Sequence, residues 1–115
     1  MHSEDFHPGL SLRLTSSTFS AGDELKGVLS WSFAEKNREI ALACGWYVSG
    51  SRYVDFRCHA QKVFRTADAV GEAPVSFQLP AGPLTLRGTL FEVQWIIEAV
   101  DVKTMRDSYL PFALR

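Results

Sequence analysis

The stretch VSFQLPAGPLTLRGTLFEVQWIIEAVDV, residues 75–102, indicates how the chain folds. It opens with a short alternation of apolar and polar residues, which predicts a half-buried strand. Two prolines then break the pattern, because proline lacks the N–H that a central strand donates. A longer run rich in β-branched and aromatic residues follows and predicts a second strand. Its inward set is expected to be Phe91, Val93, Trp95, Ile97 and Ala99.

Five more segments outside this stretch carry strand signals. Alternating or β-branched runs cover residues 10–14, 25–33, 40–48, 52–64 and 108–114, and turn residues separate them. Together these segments predict an all-β chain of about seven strands, arranged as a two-sheet antiparallel β-sandwich. We expect a single domain over residues 10–115, preceded by a flexible segment over residues 1–9.

Charge and composition narrow the possible partners. The net charge is −1 and the twelve basic residues are scattered, so the sequence favours neither nucleic acid nor an anionic membrane as a partner. No apolar run approaches the ~20 residues of a membrane span. The beginning MHSEDFHPG is polar and acidic, unlike a secretory signal. We therefore expect a cytoplasmic protein. The count of two cysteines fits a reducing compartment as well as a single disulfide.

The central hairpin is predicted around the loop Ser49-Gly50-Ser51. If Val48 faces Arg52, Ile40 faces Ala60, and apolar residues line one side of both strands. This register places Cys44 and Cys58 on the core side, diagonal to each other at ~7–8 Å, at or beyond the reach of a disulfide. We expect two reduced cysteines in the core.

The other side of this hairpin is the predicted interaction surface. Small residues alternate outward on the first strand and leave a shallow apolar trough, which two basic side chains rim and a tyrosine pair closes. Interfaces favour tyrosine and arginine around a desolvated centre. In an alternative interpretation, Arg57 and Tyr53 fold over the trough, and the open strand edges are a second candidate site. The predicted binding residues are Ala41, Ala43, Tyr47, Tyr53, Arg57 and His59.

No sequence pattern points to catalysis. Motifs such as Gly-x-Ser-x-Gly, His-Glu-x-x-His and Cys-x-x-Cys are missing from the sequence. Cys58 and His59 are adjacent, but neighbours on a strand point to opposite faces and cannot share a proton. His2 and His7 form the one close histidine pair, in a segment expected to be flexible. We predict no catalytic residue, no metal site and no cofactor.

Two motifs resemble the arrestin superfamily. The first is FSAGDELKGVLSW, residues 19–31, in which an aromatic residue precedes Gly-Asp and a Gly-x-apolar strand. The second is FQLP, residues 77–80, followed by Pro83, Gly88 and a long strand centred on Trp95. The resemblance implies an immunoglobulin-like β-sandwich and a non-enzymatic role as a scaffold or adaptor. Relatives usually carry two such domains in tandem, whereas this sequence predicts one.

The resemblance implies a protein partner of unknown identity. Receptor and phosphate recognition are not carried over, because the sequence shows neither the buried charge cluster nor the basic phosphate sensors of the receptor-binding relatives. We expect a protein-interaction module that works through a sheet face or a strand edge. A self-associating structural subunit, such as a homodimer, is one alternative. A small-ligand-binding or enzymatic β-sandwich is another.

Overall fold

The chain forms ten β-strands and no helix within the part that the structure describes. In this computed structural model, residues 3–7, 9–50, 52, 54–88 and 90–115 are described, with side chains from residue 9 onward. The strands are β1 (Ser3–His7), β2 (Leu10–Leu14), β3 (Thr18–Phe19), β4 (Glu24–Ser32), β5 (Glu39–Gly50), β6 (Val54–Arg65), β7 (Val70–Gln78), β8 (Leu86–Arg87), β9 (Phe91–Asp101) and β10 (Arg106–Leu114).

The strands form two sheets that pack face to face. The four-stranded sheet has the order β1-β2-β4-β7, and the six-stranded sheet has the order β3-β10-β9-β5-β6, with β8 paired to β9. All neighbouring strands are antiparallel except β3 and β10, which run parallel. The predicted fold class, an all-β two-sheet sandwich, is confirmed.

Three of the ten strands were missed by the sequence prediction of about seven. The strands β3 and β8 have two residues each, too few to show any periodicity. Strand β1 lies within the segment expected to be flexible, yet its residues pair in antiparallel register with β2. Pairing at a sheet edge needs only backbone N–H and C=O groups. The polar sequence SEDFH therefore forms a strand without the apolar alternation that would have predicted it.

The inner faces of the two sheets form the core around Trp95. Its ring is fully buried and contacts the rings of Trp46 and Phe112 at centroid distances of 5.0 and 5.8 Å. The indole N–H donates to the carbonyl oxygen of Pro83, at 2.6 Å, so its polar atom is satisfied. The predicted inward set of β9 is buried except for Phe91, which is 44% exposed. Phe91 is the first residue of its strand.

One end of the core holds a buried ion pair between Arg38 and Asp101. A carboxylate oxygen of Asp101 also accepts a hydrogen bond from the Thr104 hydroxyl, at 2.6 Å. The guanidinium of Arg38 lies 4.6 Å from the centre of the Phe33 ring. The layer between the sheets is therefore not entirely apolar at this end. Asp101 continues the inward alternation of β9, and that pattern was the available signal.

Candidate interaction surface

The predicted register of the β5–β6 hairpin is wrong. Ile40 lies opposite Phe64 rather than Ala60, and the register shifts between Cys44 and Gly45. Cys44 pairs with Ala60 and Gly45 pairs with Cys58, so β6 carries one extra residue between them, a β-bulge. A one-residue shift exchanges the faces of all residues beyond it. The side chains of β6 before the bulge therefore lie on the faces opposite to those predicted.

The side of the six-stranded sheet that points away from the four-stranded sheet is called the outer face below. It consists of alternate residues from four neighbouring strands, and Ala41, Ala43 and Tyr47 lie on it as predicted. Its members are Val54, Phe56, Cys58, Gln61, Val63 and Arg65 on β6; Glu39, Ala41, Ala43, Gly45, Tyr47 and Ser49 on β5; Glu92, Gln94, Ile96, Glu98 and Val100 on β9; and Asp107, Tyr109, Pro111 and Ala113 on β10.

An aromatic pair covers the glycine beside the bulge. The rings of Tyr47 and Phe56 lie 5.0 Å apart, and each residue remains more than one third exposed. A Cβ atom on Gly45 would lie 2.2 Å from the carbonyl oxygen of Arg57 and 2.8 Å from the Phe56 ring. Only glycine fits this close approach without a shift of the backbone. Tyr53, the predicted ring partner of Tyr47, lies outside the described residues.

Arg57 and His59 do not rim the trough as predicted. Arg57 lies opposite Trp46, whose ring packs against the core, and forms an exposed ion pair with Asp55 at 3.0 Å. The His59 ring stands edge-on to the buried Trp95, and its Nε2–H donates to the carbonyl oxygen of Gln78, at 2.9 Å. The physical reason is the bulge, which turns both side chains toward the four-stranded sheet.

The strand edges on this side of the sandwich are protected. The Lys62 ammonium donates to the carbonyl oxygen of Ser76, and His59 donates to that of Gln78, so two backbone acceptors of β7 are already occupied. Strand β6 itself carries five basic or acidic side chains besides its bulge. Charges and bulges are the usual means of preventing edge-to-edge pairing. The outer face, by contrast, carries exposed apolar side chains such as Phe56 and Val63, so the face is the better candidate for binding.

A carboxyl pair lies on the outer face at one end of β9 and β10. Glu98 lies between Ala43 and Tyr109 in the register, and Asp107 is the diagonal neighbour of Glu98 on β10. Burial raises the pKa of Glu98 to about 7, and the hydrogen bond and negative charge of Asp107 act in the same direction. Glu98 therefore changes its charge near neutral pH.

The opposite end of the same face carries arginines. Arg87 lies opposite Glu92, and Arg87 and Arg115 line a shallow cleft of about 520 Å³ together with Gln94 and Pro111. Both arginines are exposed, and neither forms an ion pair with a described residue. Glu92 lies on the same face, so this end carries two arginines against one carboxylate. The end with the carboxyl pair carries Glu98, Asp107 and Glu39 against one arginine, Arg65.

The two cysteines differ in their surroundings. Both are free thiols; Cys44 is buried, as predicted, and burial raises its pKa to about 12. Cys58 is exposed on the outer face, so its predicted place in the core is wrong, again because of the bulge. His59 turns to the other side of the strand, so the two neighbours do not form a nucleophile–base pair.

The described residues contain no group of three His, Cys, Asp or Glu side chains arranged to hold a metal ion. Of the one close histidine pair in the sequence, His2 lies outside the described residues and the side chain of His7 is not described. Within the described part of the chain, no helix has the length and apolar character that a membrane crossing requires.

Comparison with solved structures finds proteins that are similar to this chain in fold. No family model and no curated protein matches the sequence. Spo0M, a sporulation control protein from Bacillus subtilis, aligns over 93% of this chain with a TM-score of 0.66 and 13% identity. A superoxide reductase (neelaredoxin) from Ignicoccus hospitalis aligns over 97% of the chain and 83% of its own, with a TM-score of 0.51 and 10% identity.

These similarities show the β-sandwich fold. The chain spans about half the length of the Spo0M chain, 49%. At such low identities the alignments carry no residue roles from one protein to the other.

Proposed function

We propose that the chain is a non-enzymatic protein-interaction module that binds a protein partner through the outer face of its six-stranded sheet. The arrestin-type sequence motifs and the similarity to a protein named for sporulation control both support a scaffold or regulatory role. Two free thiols, one of them exposed, support a cytoplasmic location, where thiols stay reduced.

The observation that carries the proposal is the apolar character of the outer face. Tyr47, Phe56 and Val63 are 37%, 38% and 60% exposed. Val63 lies opposite Ala41, and the Tyr47–Phe56 pair lies on the same face beyond Ala43 and Gly45. No described strand covers this side of the sheet. Contiguous exposed apolar surface of this kind marks interaction sites.

The test is a comparison of two variants that carry the same new side chain on different sheets. Ala43→Glu adds a carboxylate in the middle of the outer face, beside Glu98. Ser30→Glu adds one to the outward side of the four-stranded sheet, opposite Ser11 and Glu72. Both positions are half-buried, so both variants should fold.

Immobilised protein is exposed to a lysate, and bound proteins are quantified by mass spectrometry. The proposal predicts that specific partners are retained by the wild type and Ser30→Glu and are lost by Ala43→Glu. Equal retention by all three proteins would contradict binding through the outer face.

A further inference from the structure

The two ends of the outer face carry opposite net charge, so two copies of the face can complement each other. Arg87 lies opposite Glu92 on β9, and Glu98 lies six residues further along the same strand. Six residues of an antiparallel strand extend ~20 Å, so this distance separates the two charged ends of the face. Asp107 accompanies Glu98 at the negative end, and Arg115 accompanies Arg87 at the positive end. Between the two ends lie apolar and uncharged residues, including Gly45, Ile96 and Pro111.

We propose that the partner of the outer face is a second copy of this chain, an inference that rests on the proposed function. The two faces stack about a two-fold axis that runs across the strands close to Ile96. This operation leaves each strand over the same strand of the partner and reverses its direction, so the end with Glu98 and Asp107 lies over the end with the partner's Arg87 and the partner's Arg115. The symmetry produces each contact twice, as in other dimers with two-fold symmetry.

The size of the face is sufficient for such a dimer. Four strands of about ten residues cover ~19 Å by ~34 Å, or on the order of 650 Å² of flat area per copy. Stable interfaces bury ~800 Å² per partner, whereas most crystal-packing contacts bury less than about half of that. The flat estimate leaves out the side-chain relief of Tyr47, Phe56 and Tyr109, which adds to the buried area.

The small residues allow the two sheets to approach closely. Packed sheets lie ~10 Å apart, a distance at which large side chains on both faces must interdigitate. Ala41, Ala43 and Gly45 form a row of small residues on β5, flanked by the Tyr47–Phe56 pair. In the stacked arrangement, the rings of one copy have free space over the small residues of the other. The bulge at Gly45 brings Phe56 into this position.

A pair of charge reversals tests the stacking. Glu98→Arg would place an arginine at the end of the face that meets the partner's Arg87, and Arg87→Glu would place a glutamate at the end that meets the partner's Glu98. Each variant alone should associate roughly tenfold or more weakly than the wild type. A 1:1 mixture should restore the dimer, because both cross-contacts are then attractive. Sedimentation velocity at pH 8 measures the three samples, and far-ultraviolet circular dichroism verifies that each variant is folded.

Each outcome decides the proposal. A dimeric wild type, two weakened variants and a restored mixture support it. A monomeric wild type, variants that associate like the wild type, or a mixture that stays monomeric would overturn it. A monomeric wild type that still loses protein partners through Ala43→Glu would leave the proposed function standing and replace the second copy by a different protein.

Discussion

The outward sides of the two sheets have opposite chemistry, although both have the same position in the sandwich. On the four-stranded sheet this side is mostly polar, with one strongly exposed apolar residue, Val70. Its members are Ser11, Arg13, Glu24, Lys26, Val28, Ser30, Ser32, Val70, Glu72, Pro74, Ser76 and Gln78. On the six-stranded sheet it carries exposed aromatic and aliphatic residues around a row of alanines. A sandwich requires apolar residues only between its sheets. The apolar outer face is therefore not a requirement of the fold, and we attribute it to binding.

The largest expected effect is a difference in the free energy of unfolding between two substitutions on one strand, one in the core and one on the outer face. Ile97 and Ile96 are neighbours on β9, buried on opposite sides of the sheet, and only Ile97 belongs to the core cluster. Ile97→Ala should lower the free energy of unfolding by ~2–5 kcal/mol through a cavity between the sheets. Ile96→Ala should cost only ~1–2 kcal/mol, since its surroundings can relax toward solvent.

Urea unfolding of both substitutions, each made in the monomeric variant Ala43→Glu, measures the difference in the single chain. Equal losses would mean that the outer face contributes to the fold as a second core, and the contrast between the two outward sides would lose its functional meaning.

A second substitution tests why the outer face contains a glycine. In Gly45→Ala the new Cβ would clash with the carbonyl oxygen of Arg57, so overpacking should cost ~1–3 kcal/mol. Ser30→Ala on the other outward side is the matched control and should change stability by less than ~0.5 kcal/mol. Thermal unfolding compares the two variants. A neutral Gly45→Ala would show that the bulge does not need glycine.

The sequence predicted the inward-facing core residues better than the residues of the outer face. Strict alternation in β2, β4 and β9 identified the inward residues, because burial between two sheets imposes a period of two. The surface depends on the register of β6, which the bulge changes by one residue. A bulge leaves little trace in the sequence, so Ala41, Ala43 and Tyr47 were placed on the correct face, whereas Arg57 and His59 were not.

Self-association should depend on pH through the outer face. Glu98 has a pKa of about 7 in the single chain, and its charge is opposed by Asp107; Tyr109 and Ala43 are its register neighbours. The partner's arginines favour ionised Glu98, so dimer formation releases protons and weakens as the pH falls through 7. Two exposed ion pairs correspond to a roughly 2- to 30-fold weaker dimer at pH 6 than at pH 8.

Sedimentation equilibrium at the two pH values measures this effect. Glu98→Gln is the control and should show little dependence on pH, because it cannot ionise. If the wild type and Glu98→Gln had the same pH profile, Glu98 would not lie in the interface.

The reactivities of the two thiols compare the outer face with the core without a substitution at either cysteine. Cys58 is exposed on the outer face of the single chain, so a thiol reagent should modify it in the folded monomeric variant Ala43→Glu. Cys44 is buried with its pKa raised to about 12, so it should react only when the protein unfolds. The number of thiols titrated before and after unfolding tests this assignment. Two thiols reactive in the folded protein would mean that Cys44 is accessible.

The most direct test of the outer face as an interface is the molar mass of three proteins in solution. Sedimentation equilibrium at pH 8 compares the wild type with Ala43→Glu and Ser30→Glu. We predict a dimer for the wild type and for Ser30→Glu, and a monomer for Ala43→Glu. A monomeric wild type, a dimeric Ala43→Glu or a monomeric Ser30→Glu would contradict the stacking of two chains through the outer face of the six-stranded sheet.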